Sequence, residues 1–252
     1  QTDQRLRDVE SKYAALRATG LPASVSNTVD AALNGLKMLP ETRSAATGLS
    51  IVGKDAAARY TQAIALIQKT NPAIADQSQD VEVTKLMTSY NAFLNLKERS
   101  GQERALMTGV FTANKFEAAQ YPVFLSHIAA QTAYLHVYND YASETMKKRY
   151  QQALETPAFL QVEAMRKVAV EKAFSGDFGI EPTAWFASMT SRINSMHDIE
   201  KEQADQIKGL ADQKSNQAKL KCAVRTSISH ACSNKSSIWC NCVPNKPGWR
   251  WI

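Results

Sequence analysis

The sequence predicts an all-α protein built from antiparallel, elongated helical bundles, and three observations predict it. Apolar residues recur at intervals of three and four over most of residues 3–213. Proline, glycine and capping residues fall between those stretches, where helices would end. Nowhere do polar and apolar residues alternate as a half-buried strand requires.

Each element follows from these signals. Residues 3–18 carry Leu6, Val9, Tyr13 and Leu16 on one face. "TGLPAS" interrupts, and Ser24 or Ser26 is placed to cap a second helix running to about Leu39. Pro40 suits the first turn of a further segment, which "IVGKD" closes. Asp55 then caps "AAARYTQAIALIQKT", where Tyr60, Ile64 and Ile67 share a face, and "NPAIADQSQD" reads as a loop. A long helix is expected over 79–113 and another over 117–154. A third runs from Pro157 to about Phe174, and "SGDFGIEP" leads into a last one over 183–213. Helices joined by short loops bury their stripes against one another as bundles.

Composition narrows the function classes. Over 252 residues, 44% are apolar and 21% charged, as in an ordinary globular protein. No apolar run approaches the roughly 20 residues that span a bilayer. "QTDQRLRDVE" lacks the layout of a signal peptide, so export or anchoring signals are expected outside the chain. The net charge of +6 is concentrated at one end. From Lys219 onward there are six basic residues and no acidic ones. Removing those six from the 30 Lys and Arg leaves 24, equal to the 24 Asp and Glu. A balanced body gives no argument for nucleic acid as a partner.

The same boundary divides the chain into a helical body over 1–218 and a basic tail over 219–252. The tail holds Cys222, Cys232, Cys240 and Cys242 together with Trp239, Trp249 and Trp251. Nine, seven and one residues separate successive cysteines, which matches no zinc template of paired C-x₂₋₄-C knuckles. Four cysteines also allow three disulfide connectivities. A loosely packed tail is the simpler expectation.

One stretch of the body breaks its own pattern. Steps of three and four from Val83 give Val83, Met87, Tyr90, Leu94, Lys97, Gly101, Arg104, Thr108 and Phe111. Read as a packing seam, this row turns polar for four positions around a glycine that permits close backbone approach. That predicts a small polar cavity. A buried guanidinium needs a carboxylate, a set of carbonyls or a bound anion, because leaving it unpaired costs several kcal/mol. The alternative is a slightly rotated helix whose Arg104 reaches out to a surface acid. A second arginine, Arg43 in "LPETRSAATGLS", lies near a helix start, with Thr47 and Ser50 four and seven residues on.

Catalytic chemistry finds no foothold. His127, His136, His197 and His230 are scattered, and no nucleophile elbow or glycine-rich phosphate loop occurs. No catalytic residues, metal ligands or cofactors are assigned, and the protein is not expected to be an enzyme.

"NLKERSGQERALMTGVFTANKFEAAQYPVFLSHIAAQTAYLHVYNDYAS" resembles the NIT domain, the bacterial nitrate- and nitrite-sensing module. The likeness lies in the lysine–glutamate pair, G-x-E-R-A, a phenylalanine pair, Y-x-x-F and Q-x-x-Y. "LPETR", "RYTQAIALI" and "WFASMTSRINSMHDIE" resemble three further family motifs in the family's order, so the likeness covers residues 3–212. It implies two four-helix bundles holding a small inorganic anion, nitrate or nitrite, between arginines. Residue by residue, the arginines fall on Arg104 and Arg43, with Thr47 and Thr108 as further hydroxyl donors. Glu103 is expected to pair with Arg99 or to orient a neighbouring arginine.

The family's first helix, with its E-R-G motif, has no counterpart, because "QTDQRLRDVE" resembles its second. A chain extended at the N-terminus is therefore expected to bind more tightly. The resemblance also implies a homodimer in the periplasmic sensor region of an inner-membrane receptor, joined to the membrane only through helices outside this chain. A cytoplasmic regulator is the alternative setting. The competing reading is a helical scaffold or dimerisation module whose arginines form only structural ion pairs.

Overall fold

The computed structural model describes residues 2–233, and among them every regular element is a helix. The order is α1 (Thr2–Ala18), α2 (Ala23–Leu36), α3 (Leu39–Thr47), α4 (Gly53–Gln68) and α5 (Thr70–Ala75), then α6 (Val81–Ala113), α7 (Gln120–Tyr141), α8 (Glu144–Leu154), α9 (Pro157–Glu171) and α10 (Pro182–Ser233). The chain divides into two compact units, Gln1–Ile207 and Lys208–Ile252. The first holds α1–α9 and the start of α10. The described part of the second is the rest of α10. Cys240, Cys242, Trp239, Trp249 and Trp251 lie outside the described residues.

Local chemistry explains most boundaries. The Asp80 carboxylate accepts from the backbone N–H groups of Glu82 and Val83 and starts α6. Ser143 caps α8 the same way, accepting from the Met146 N–H at 3.4 Å. This cap divides the single helix expected over 117–154 into α7 and α8. Pro22, not Ser24 or Ser26, occupies the N-cap of α2, and the Ser26 hydroxyl instead donates to the Ala23 carbonyl. Asp55 sits within the first turn of α4 behind Val52 at the N-cap. The loop expected after α4 contains the short α5. α10 continues past the expected end at 213, on residues such as Ala, Gln and Lys whose helix propensity is high.

The apolar core lies among α6–α10. One cluster joins Phe93 and Leu96 of α6 to Tyr138, Tyr150, Phe159, Met196 and Ile199. A second joins Met107, Val110 and Phe111 to Phe124, Val162, Trp185 and Met189. Burying one such side chain contributes about 1.5–3 kcal/mol. α1–α5 bury mostly small groups: Ala32, Ala56 and Ala63, with Val25 and Leu39.

The buried row of α6 differs from the expected seam. It runs through Ser89, Phe93, Leu96, Ser100, Glu103, Met107 and Val110, while Tyr90, Leu94, Lys97, Gly101, Arg104 and Thr108 are half-buried. The helix is turned by one residue, roughly 100°. Two aromatic-rich clusters lie on the row containing Phe93 and Met107, and they set the orientation.

α6 ends at Asn114, whose left-handed backbone (φ 54°) turns the chain. Its carbonyl accepts from the Asp177 N–H at 2.9 Å, and its side-chain oxygen accepts from the Phe178 N–H at 2.9 Å. Gly176 (φ +68°) is required there, since an added Cβ would stand 2.8 Å from the Asn114 carbonyl oxygen. The connection between α9 and α10 is thereby clamped to the end of α6.

Candidate anion-binding site

α6 presents Tyr90, Leu94, Lys97, Gly101 and Arg104 to a cavity of about 430 Å³. Ile64, Ile67 and Gln68 of α4, Asn71 of α5, Glu98 of α6, and Ile193 and Glu200 of α10 complete its lining. At ~30 Å³ per water, this volume accommodates a small planar anion with part of its hydration shell.

Arg104 supplies the unusual electrostatics. Its Nη1 donates to Thr190 Oγ1 at 2.8 Å, and its guanidinium lies 4.6 Å from the centroid of the Phe186 ring. Burial pulls its pKa below the usual arginine value. Among the described residues no carboxylate forms an ion pair with it. A guanidinium has five donors in one plane, so one neutral hydroxyl leaves capacity for an acceptor.

The other charges at the cavity are Lys97, Glu98 and Glu200. Lys97 Nζ is ion-paired with Glu200 Oε2, which also lies 3.1 Å from His197 Nδ1. Burial pushes the Glu98 carboxyl up, and the hydrogen bond from Gln102 and the charges of Arg99 and Lys97 only partly offset it. Gly101 does not serve close packing: an added Cβ there would touch nothing within 4 Å. Its missing side chain instead leaves room at the centre of the polar row.

The remaining expected residues are placed differently. Arg43 Nη1 donates to Asp3 Oδ1 at 2.6 Å in an exposed ion pair, and Arg43 does not line this cavity. The hydrogen bond and charge of Arg43 hold the Asp3 carboxyl below its usual range. Thr47 is exposed at the end of α3. The Thr108 hydroxyl donates to the Arg104 carbonyl at 2.7 Å, so its donor is already engaged.

Glu103 is completely buried and pairs with Arg166, while Arg99 donates to Gln102 Oε1 at 3.0 Å. Arg166 Nε donates to Glu103 Oε1 at 2.7 Å, and Arg166 Nη2 contacts Glu103 Oε2 in a bidentate pair. Gln131 Nε2 also donates to Glu103 Oε2 at 2.6 Å. Arg166 and Arg192 each donate to Glu163 Oε1 at 2.7 Å. Burial opposes the Arg166 charge, but Glu103 and Glu163 outweigh it and hold its pKa above the usual value. Arg192 is pulled down, first by burial and then by the charge of Arg166.

Periodicity marked Lys97 and Arg104 but gave no sign of Gln68, Asn71 or Glu200, which reach the cavity from other helices. Thr190 could have been noticed, since it lies in the motif "WFASMTSRI".

Similarities to known proteins complete the picture. A curated relative, the nitrate regulatory protein of Klebsiella oxytoca, is 23% identical over 165 residues, covering 66% of this chain and 41% of the relative. The chain thus spans about two fifths of that relative's length. A solved structure of the NasR transcription antiterminator superposes with a TM-score of 0.68 at 20% identity, over 80% of this chain and 55% of that one. That likeness shows a common fold. The sequence pattern of the NIT family, nitrate and nitrite sensing, matches residues 1–208, and the chain belongs to that family.

Proposed function

We propose that this domain senses nitrate or nitrite in the cavity beside α6, with Arg104 as the main anchor. One observation carries the proposal: Arg104 is half-buried, faces a cavity and has no carboxylate partner among the described residues. A flat, singly charged oxyanion suits the parallel N–H donors of a guanidinium. Lys97 adds a point charge to the same lining, and Arg43 ranks behind both because it lies outside that lining, in an exposed pair with Asp3.

Occupancy is passed to an output module through α10, which contributes Ile193 and Glu200 to the lining. The regulatory names of the matched relatives support such an output. A membrane-receptor setting requires spans beyond the described helices, none of which is long and apolar enough to cross a membrane. The scaffold reading suits Arg43, Arg166 and Arg192, which all have carboxylate partners, but it does not account for Arg104.

Calorimetric titration with nitrate, nitrite, chloride and sulfate tests the proposal. Wild type should respond most to nitrate or nitrite. Arg104→Lys keeps the charge without the planar fork and should bind at least ~10-fold more weakly, about 1.4 kcal/mol. Arg104→Ala should abolish the response. Equal heats from all four anions, or an alanine variant that binds like wild type, would remove Arg104 from the site.

A further inference from the structure

Four charged groups line the cavity, Lys97 and Arg104 against Glu98 and Glu200, and they are not arranged alike. The two carboxylates differ in their partners. Glu98 accepts from Gln102 Nε2 at 2.9 Å on its own helix, and no ion pair joins it to either cation. Glu200 comes from a different helix and is ion-paired with the Lys97 ammonium, both side chains being largely shielded from water. The cavity therefore holds one cation that is neutralised and one that is not.

Lys97 and Arg104 are two turns apart on α6, a rise of about 10 Å. Gly101 lies between them and leaves open space. Both side chains are long enough to serve one anion above it. An anion reaching Lys97 meets a carboxylate already on that ammonium, and two like charges at one cation repel each other.

We propose that Glu200 is a displaceable counter-ion: it neutralises Lys97 in the empty cavity, and an incoming oxyanion takes its place. This rests on the reading that the anion binds in this cavity. His197, one turn earlier on α10, already stands 3.1 Å from the same carboxylate oxygen and offers the displaced group a second partner. Displacement breaks a cross-helix tie between α6 and α10. Binding energy is thus converted into freedom of the helix that carries the signal, and the empty state is held by a bond the ligand must replace.

Nitrate titration of wild type, Glu200→Gln, Glu98→Gln, Lys97→Met and the Lys97→Met/Glu200→Gln double variant tests this. Glu200→Gln removes the competitor and should tighten nitrate binding by about tenfold, within the usual range of coupling between linked sites. Glu98→Gln removes the same formal charge from the same cavity without touching the tie. It should gain about threefold at most, the scale of an unpaired charge in a screened setting. In the Lys97→Met background, Glu200→Gln should gain no more than Glu98→Gln does.

Glu200→Asp retains the charge but shortens the reach. It should also tighten binding, which keeps the test available if Glu200→Gln does not fold. Equal gains from Glu98→Gln and Glu200→Gln would reduce the effect to simple repulsion and overturn the proposal. So would a Glu200→Gln gain that survives in Lys97→Met, or weaker binding by the Glu200 variants. Those outcomes leave the cavity reading intact, whereas silence of wild type and every variant toward nitrate overturns that reading and the counter-ion with it.

Discussion

Glu103 and Arg104 are adjacent in the chain and lie on two faces of α6 with opposite electrostatics. On the buried face, Glu103 is held by two Arg166 nitrogens and Gln131, and Arg192 shares Glu163 with Arg166. Each of these four charges has an opposite partner. On the cavity face, Arg104 has a hydroxyl and an aromatic ring, and a glycine leaves space beside it. The difference separates charges used for structure from charges available to a ligand. The network matches two carboxylates to two guanidinium groups and keeps no net charge to offer, although Arg192 Nε makes no hydrogen bond, while a partly shielded cation without a carboxylate does keep one.

The largest effect that could break this comparison is on stability. Glu103→Ala leaves the Arg166 guanidinium buried without its main partner, which should cost about 3–5 kcal/mol. At about 2–4 °C per kcal/mol for a domain of this size, the melting temperature should fall by roughly 6–20 °C. Arg104→Ala orphans no carboxylate and should change the melting temperature far less. Circular dichroism melts of both variants without nitrate decide it, and a larger loss from Arg104→Ala would invert the comparison.

Gly101→Ala sharpens it from the cavity side. The new methyl group meets no atom and removes the entropic disadvantage of a mid-helix glycine, so the empty protein should gain about 0.5–1 kcal/mol. It also intrudes on the space between Lys97 and Arg104, so nitrate binding should weaken. A variant that is both more stable and undiminished in binding would detach the glycine from the site.

The smallest effect belongs to the exposed pair. Arg43→Ala removes an ion pair that water already screens and should leave the melting temperature unresolved from wild type. Its loss of nitrate affinity should be smaller than that of Arg104→Ala. Equal losses would place Arg43 beside Arg104 in importance.

The all-helical fold was legible because most elements announce themselves locally, through the Val83–Leu94 spacing of α6 or Pro157 at the start of α9. The break between α7 and α8 was not, since Ser143 carries no proline or glycine beside it. The orientation of α6 was also hidden. Ser100 and Glu103 make its buried row look polar, and their justification lies in Gln131 and Arg166, 31 and 63 residues away from them. A periodicity reading cannot supply such partners. It therefore identified the polar row around Arg104 but took a cavity wall for the core seam. Periodicity and the motif likeness both point to Arg104 as a candidate, while Glu200 depended on which face α10 turns to α6.

The Asn114 clamp has a consequence for the order of folding. α6 and α7 are joined by a short connection, so their pairing closes a small loop, whereas Asn114 must find Asp177 and Phe178 across more than 60 residues. Local pairing is entropically cheaper to form early. The clamp should then be absent from the rate-limiting transition state and act as a late latch. In a chevron experiment, Asn114→Ala should speed unfolding and leave the refolding limb nearly unchanged. A comparable slowing of refolding would place the latch in the nucleus instead. On this account Asn114 governs how long the folded domain persists more than how fast it forms.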